Sequence, residues 1–143
     1  MTIIAWDGKS LAVDRMSISG EFCSETFKSR RIDDNTVMAI CGQYDIGLAL
    51  MDWWENGNIP EKWPEAAKRE SSSNCLIVVR HGVCYEFETL PIIQKVLAPY
   101  MAWGSGRDFA IGAMAMGATA KEAAEVAIKH CISCGFGIDV YET

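Results

Sequence analysis

The sequence predicts an α+β protein in which two mainly antiparallel sheets pack together with helices outside. Three observations carry this. Turn dipeptides, Asp7-Gly8 and His81-Gly82, sit between apolar runs and mark hairpins. Residues 36–41, Thr-Val-Met-Ala-Ile-Cys, form an uncharged run suited to a strand buried on both faces. The elements follow in the order strands, one helix, strands, two helices and a closing strand.

Residues 1–6 read as the first strand, Asp7-Gly8 as a two-residue turn and residues 10–16 as the returning strand, which pins the first residues in a sheet. Residues 17–26 are polar and carry Gly20, so a loop with at most a short strand is expected. A short extended segment at 27–32 and the turn Asp33-Asp34-Asn35 lead into the 36–41 strand. Gly42 opens a helix with Asp45 as candidate N-cap; Ile46, Ala49, Leu50 and Trp53 share one face, and Asn56-Gly57 stops it. Residues 59–73 hold Pro60, Pro64 and a serine run at 71–73, and read as the most exposed stretch. Residues 74–80 and 83–88 form the second hairpin, whose sheet is extended by strands from Ile92 and around 101–103. Ser105 caps a helix to Met116, apolar nearly all round and so expected between layers, and Gly117 closes it. Thr119-Ala120-Lys121-Glu122 is a capping box. It starts a helix whose buried stripe is Ala120, Ala123, Ala127, Ile128 and Cys131, and which stops at Gly135. Residues 137–141 are the closing strand.

The 143 residues suit one domain, 1–143, with a single core. No run approaches the roughly 18 uncharged residues of a membrane span, and no basic-then-apolar leader is present, so a protein resident in the cytoplasm is expected. Six cysteines lie mostly inside apolar runs, where a thiol behaves as a small hydrophobe, and predict a reduced chain without disulfides. The net charge of −6 disfavours phosphate-backbone binding, and the basic cluster at 28–31 is too short to reverse that, so no nucleic-acid partner is expected.

The chemistry centres on Met1-Thr2-Ile3-Ile4-Ala5. Removal of Met1 would give Thr2 a hydroxyl and a free α-amine of pKa about 8, a nucleophile and its base in one residue. Further along stand Leu11-Ala12-Val13-Asp14, then Lys28-Ser29-Arg30-Arg31-Ile32, Ala39-Ile40-Cys41-Gly42, and Gly104-Ser105-Gly106 before an Ala-rich helix. In order and spacing these resemble the proteasome β-subunit and HslV group of N-terminal-nucleophile hydrolases, and especially the short proteasome-like proteins of tailed-phage and prophage genomes. The resemblance covers nearly the whole length. It implies a four-layer αββα sandwich, a threonine peptidase or amidase without cofactor or metal, a homo-oligomeric ring and an unfoldase as possible partner. It also implies roles. Thr2 is the nucleophile, and Lys28 lies beside it and lowers the amine's pKa by like-charge repulsion. Asp14 holds the lysine in place, Ser105 orients the amine, and the backbone at Gly42 stabilises the oxyanion.

The chain departs from the family where an Asp-x-x-Ser-Gly pattern is often found. It reads Cys131-Ile132-Ser133-Cys134-Gly135, with thiols in place of both polar partners. Arg15 follows Asp14 and is expected on the opposite side of the strand. Plain readings stand beside the catalytic ones: Asp14 as a hydrogen-bonded strand residue, Lys28 as surface charge, Ser105 as a helix cap. Two further functions compete, a non-catalytic assembly subunit that retains Met1, and a zinc module built from Cys131, Cys134, His81 and Cys84 with His130 nearby.

Overall fold

The computed structural model describes residues 1–69 and 73–143. In chain order the elements are β1 (Ile4–Trp6), β2 (Ser10–Asp14), β3 (Met16–Ser19), β4 (Phe22–Glu25), β5 (Ser29–Asp33), β6 (Thr36–Cys41) and α1 (Tyr44–Glu55). Two short 3-10 turns, Pro60–Lys62 and Glu65–Lys68, precede β7 (Cys75–Arg80), β8 (Val83–Phe87), β9 (Gln94–Lys95) and β10 (Met101–Trp103). The chain closes with α2 (Arg107–Ala115), α3 (Ala120–His130) and β11 (Ile138–Glu142). One sheet has the order β10-β1-β2-β11, a second β5-β6-β7-β8-β9, and β3-β4 stand apart as a two-stranded hairpin. Every strand pairing is antiparallel.

Side-chain alternation along the strands explains the layering. Ile4, Trp6, Leu11 and Val13 of the first sheet meet Val37, Ala39, Ile77 and Val79 of the second, forming the central core. The alternate residues Ile3, Ala5 and Ala12 turn outward and pack with Ala120, Ala123, Ala124 and Ala127 of α3. Small side chains on both partners let that helix lie close to the strands. On the far side, Met38, Ile40, Leu76 and Val78 bury against Ile46, Leu50, Met51 and Trp53 of α1. Gly47 permits the approach, since a Cβ there would lie 2.5 Å from Ile40 Cδ1. The result is helix, sheet, sheet, helix: the expected α+β, αββα architecture. Burying a Leu or Ile side chain in these interfaces contributes about 1.5 to 3 kcal/mol.

Several local expectations are corrected. The first turn is centred on Gly8-Lys9, because Trp6 pairs with Leu11 and the Asp7 carboxylate accepts from the N–H groups of Lys9 and Ser10. The expected loop at 17–26 is largely the β3-β4 hairpin, two-sided and polar, which periodicity does not reveal. The residue before α1 is Gln43, and Asp45 lies inside the first turn, its carboxylate accepting from Ile46 N–H. Ala49 is half-buried where a fully buried stripe was expected. The stretch expected to be most exposed in fact docks Trp63 and Ala67 in the core, Trp63 edge-on to Trp53 with centroids 4.7 Å apart. Its serine run falls partly outside the described residues. Strand β10 pairs with β1 in the first sheet and does not extend the second, whereas β9 does. Helix α2 buries only Ala110 and Met114, so it covers the sheet on one side and does not lie between layers. Its N-cap is Gly106, with no side-chain cap from Ser105. The capping box of α3 is present as expected, but the helix ends at His130, short of Gly135, and Ile128 and Cys131 are only partly buried.

The cysteine expectation is also corrected. Cys41 and Cys75 stand directly opposite each other in the β6-β7 register, with Cα atoms 5.4 Å apart, and form a disulfide. The register across strands brings them together, although 34 residues separate them.

Candidate active site

Asp14 ends β2 with no solvent exposure. Its Oδ1 accepts from Lys28 Nζ at 2.9 Å and from Ile3 N–H at 3.0 Å; Oδ2 accepts from Gly135 N–H at 3.1 Å and Met16 N–H at 3.3 Å. Four donors around one carboxylate compensate the cost of taking the charge out of water. Asp14 is thus a hydrogen-bonded strand residue, as its plain reading has it, and one of its donors is the Lys28 ammonium.

Lys28 immediately precedes β5 and is 5% exposed, which rules out the surface-charge reading. An ammonium carries three donors. Here they point at Asp14 Oδ1, Thr2 Oγ1 at 3.1 Å and the Met1 carbonyl at 3.0 Å. The ammonium is therefore fully engaged, and its place is set by the buried carboxylate beneath it.

Thr2 is 2% exposed and enters the cluster just ahead of β1. Its N–H donates to Ser105 Oγ at 3.2 Å, and its hydroxyl donates to the Met1 carbonyl at 2.6 Å. Ser105 lies between β10 and α2, and its hydroxyl is engaged with Thr2 instead of the first turn of α2. The turn around it fits only glycine at 104: φ is +94°, and a Cβ there would lie 2.1 Å from the Thr2 carbonyl oxygen, which accepts from Gly106 N–H at 3.2 Å. Thr2, Lys28, Asp14 and Ser105, drawn from four separated parts of the chain, thus form one hydrogen-bonded group.

Gly42 does not touch that group, but it lines the same cavity. This space of about 800 Å³ has Met1, Thr2 and Lys28 on one side and Gly42, Gln43 and Asn74 on the other. Gly42 has φ +98°, and a Cβ there would lie 2.2 Å from Asn74 Oδ1, the atom that accepts from Gln43 N–H at 2.7 Å. Asn74 fixes this turn and was not legible in the sequence, where it is one polar residue before a strand. Gly135 was likewise missed as a donor to Asp14. Arg15 points away from the cluster, as strand alternation requires, to Asp139 and Glu25. Among the described residues no group of three or more His, Cys, Asp or Glu gathers at metal-binding distance, so the zinc assembly across His81, Cys84, Cys131 and Cys134 does not form.

With fold and site in place, solved structures provide a comparison. HslV from Trypanosoma brucei superposes with a TM-score of 0.73 at 22% identity, covering 99% of this chain and 97% of that one. The fold is that of HslV. The same arrangement recurs in Thiobacillus denitrificans BPH in complex with epoxomicin, with a TM-score of 0.76 at 18% identity over 100% and 98% of the two chains. It recurs again in an Anbu mutant from Hyphomicrobium sp. strain MC1, with a TM-score of 0.72 at 11% identity over 100% and 82%. No protein-family model and no curated protein sequence matches the chain. The likeness to HslV thus rests on three-dimensional arrangement, at sequence identities that establish the fold alone. Among the described residues no helix is long and apolar enough to cross a membrane.

Proposed function

We propose that this chain, as one domain over residues 1–143, is a threonine-type N-terminal-nucleophile hydrolase, a peptidase or amidase working within a self-assembled homo-oligomeric ring. The observation that carries the reading is the buried Lys28 ammonium, 3.1 Å from the Thr2 hydroxyl and anchored on Asp14. Met1 is 57% exposed, so it is open to removal by an aminopeptidase. Cleavage turns the Thr2 amide nitrogen, now bonded to Ser105, into a primary amine at the same place.

On this reading catalysis starts at Thr2. Thr2 Oγ1 attacks the carbonyl carbon of a bound peptide or amide, and the α-amine takes the hydroxyl proton directly or through one water. Lys28 disfavours a protonated amine beside it by like-charge repulsion and favours the developing oxygen charge. The backbone N–H of Gly42 stabilises the oxyanion, a donor of this kind contributing about 2.7 to 4 kcal/mol. Collapse expels the leaving amine with the proton from the α-amine and leaves an ester on Thr2, which water hydrolyses. Asp14 acts by positioning Lys28, and Ser105 by orienting the amine.

The proposed setting is that of the sequence likeness: a phage or prophage product in the cytoplasm of a bacterial host, with an unfoldase as possible partner. Burial of Cys41 and Cys75 shields their disulfide from the reductants of that compartment. A second reading is a non-catalytic assembly subunit on the same fold that retains Met1, in which the Thr2 nitrogen stays an amide and cannot act as a base.

Intact mass separates the two readings. A purified chain lighter by one methionine, active on peptide or amide substrates and inactive as Thr2→Ala with an unchanged circular dichroism spectrum, is the expected result. Activity retained in Thr2→Ala ends the enzyme reading, and a chain that keeps Met1 in its working form supports the scaffold.

A further inference from the structure

The thiols that replace the polar pattern after α3 sit against the site. Cys134 N–H donates to the Cys131 carbonyl at 3.2 Å, closing a tight turn over 131–134. A turn of this kind brings its first and last Cα atoms within about 7 Å, the range in which a disulfide can close. Cys134 Sγ lies 3.9 Å from Ser105 Oγ, the oxygen that receives the Thr2 N–H. The next residue, Gly135, donates its N–H to Asp14, and its carbonyl accepts from Arg15 N–H at 3.1 Å. One turn therefore touches both groups that position the threonine and the lysine.

We propose that Cys131 and Cys134 are an oxidative modification site, a dithiol that hydrogen peroxide converts reversibly to a disulfide and that thereby resets Ser105 and Asp14. Its effect on turnover rests on the hydrolase reading; its chemistry does not. The half-buried Cys131 is the attacking sulfur: its thiolate displaces water from peroxide and becomes a sulfenic acid. Cys134 then attacks that sulfur, expelling a second water and forming the S–S bond. Two thiols lose two electrons and two protons, and one peroxide is reduced to two waters. The thiol acidities agree with this division of roles. Burial raises Cys131, but hydrogen bonds from the Ser133 backbone, Cys134, Ser105 and the Ser133 hydroxyl outweigh it and bring the thiol below its ordinary value. Cys134 is pushed up to about 12 by burial, with the charges of Asp14 and Cys131 adding to it. Closing the bond removes the Cys134 thiol that faces Ser105 Oγ at 3.9 Å and constrains the turn that carries Gly135.

The test is peptide mapping with turnover in parallel. Trypsin cleaves after Lys129 and releases residues 130–143 as one peptide holding both cysteines. After peroxide, alkylation and digestion, this peptide is expected two hydrogens lighter and unalkylated, and alkylated at both sulfurs if dithiothreitol is added first. Cys134→Ser should stop at a sulfenic acid on Cys131, captured by dimedone. Turnover of the processed protein should fall several-fold on oxidation and return with reductant. Amide hydrogen exchange at Ile3 and Gly135, the two buried donors to Asp14, should quicken several-fold in the oxidised form. A peptide that remains alkylated at both cysteines after peroxide overturns the proposal, and so does a disulfide that leaves turnover and exchange unchanged. If the reduced, processed protein has no turnover at all, the hydrolase reading fails alone, and peptide mass with exchange still decides this one.

Discussion

Lys28 and Asp14 show how a residue-scale argument changes once burial is known. In the sequence Lys28 stands in a basic cluster with Arg30 and Arg31 and looks like surface charge. Only the resemblance marked it out, because the signal that matters, a carboxylate 14 positions earlier beneath it, is tertiary. Lys28→Met leaves Asp14 with four acceptor contacts reduced to three backbone donors and an uncompensated buried charge. A loss of about 3 to 5 kcal/mol in urea-measured stability is expected. Asp14→Asn combined with Lys28→Met should restore much of it, a coupling that a double-mutant cycle reads directly. Both single variants should lose hydrolase turnover. Gly42→Ala, which pushes a Cβ into Asn74, should shift the turn and impair turnover, while Gly112→Ala, on the open side of α2 and without a positive φ, leaves it intact.

At the scale of elements, local signals sufficed where a segment carries its own punctuation. The uncharged run of β6, the His81-Gly82 hairpin, the Asn56-Gly57 stop and the Thr119–Glu122 capping box all lie where the sequence placed them. They failed where an element is defined by a distant partner. The three residues of β10 have no period of their own, and their place beside β1 is fixed by a register 95 or more positions away, such as Ile4 against Trp103. Ser105 was read as a cap because cap and orienting roles use the same hydroxyl. Asp7 illustrates a link between elements that gives a pH prediction. Its carboxylate ties the first turn to α3 by accepting from Ala120 N–H at 2.8 Å. Burial alone would raise its pKa, but N–H groups of Ala120, Lys9 and Ser10 with the Ser10 hydroxyl hold it below the ordinary carboxylate value. A carboxyl depressed in the folded state contributes stability above its unfolded pKa of about 3.9, and that contribution is lost as pH falls through the folded value. Asp7→Asn should therefore lower Tm at pH 7 and change it little at the acid end, below the folded pKa.

For the whole molecule, the open question is assembly, and the surface suggests where to look. Met116 and Ile132 are 90% and 93% exposed, and Phe109 also shows on the α2-α3 side. Large apolar side chains exposed at both ends of the α2-α3 layer suit contacts between copies. If the proposed ring uses this layer, Met116→Asp with Ile132→Asp should lower the mass seen by sedimentation while leaving the circular dichroism unchanged. The disulfide has a consequence of a different sort. Cys41 and Cys75 enclose α1, both 3-10 turns and everything between them in a covalent ring of the backbone. A protease that nicks the chain anywhere from 42 to 74 would leave both fragments tethered. On an electrophoresis gel the cut protein should run as one band until mercaptoethanol is added, and then as two.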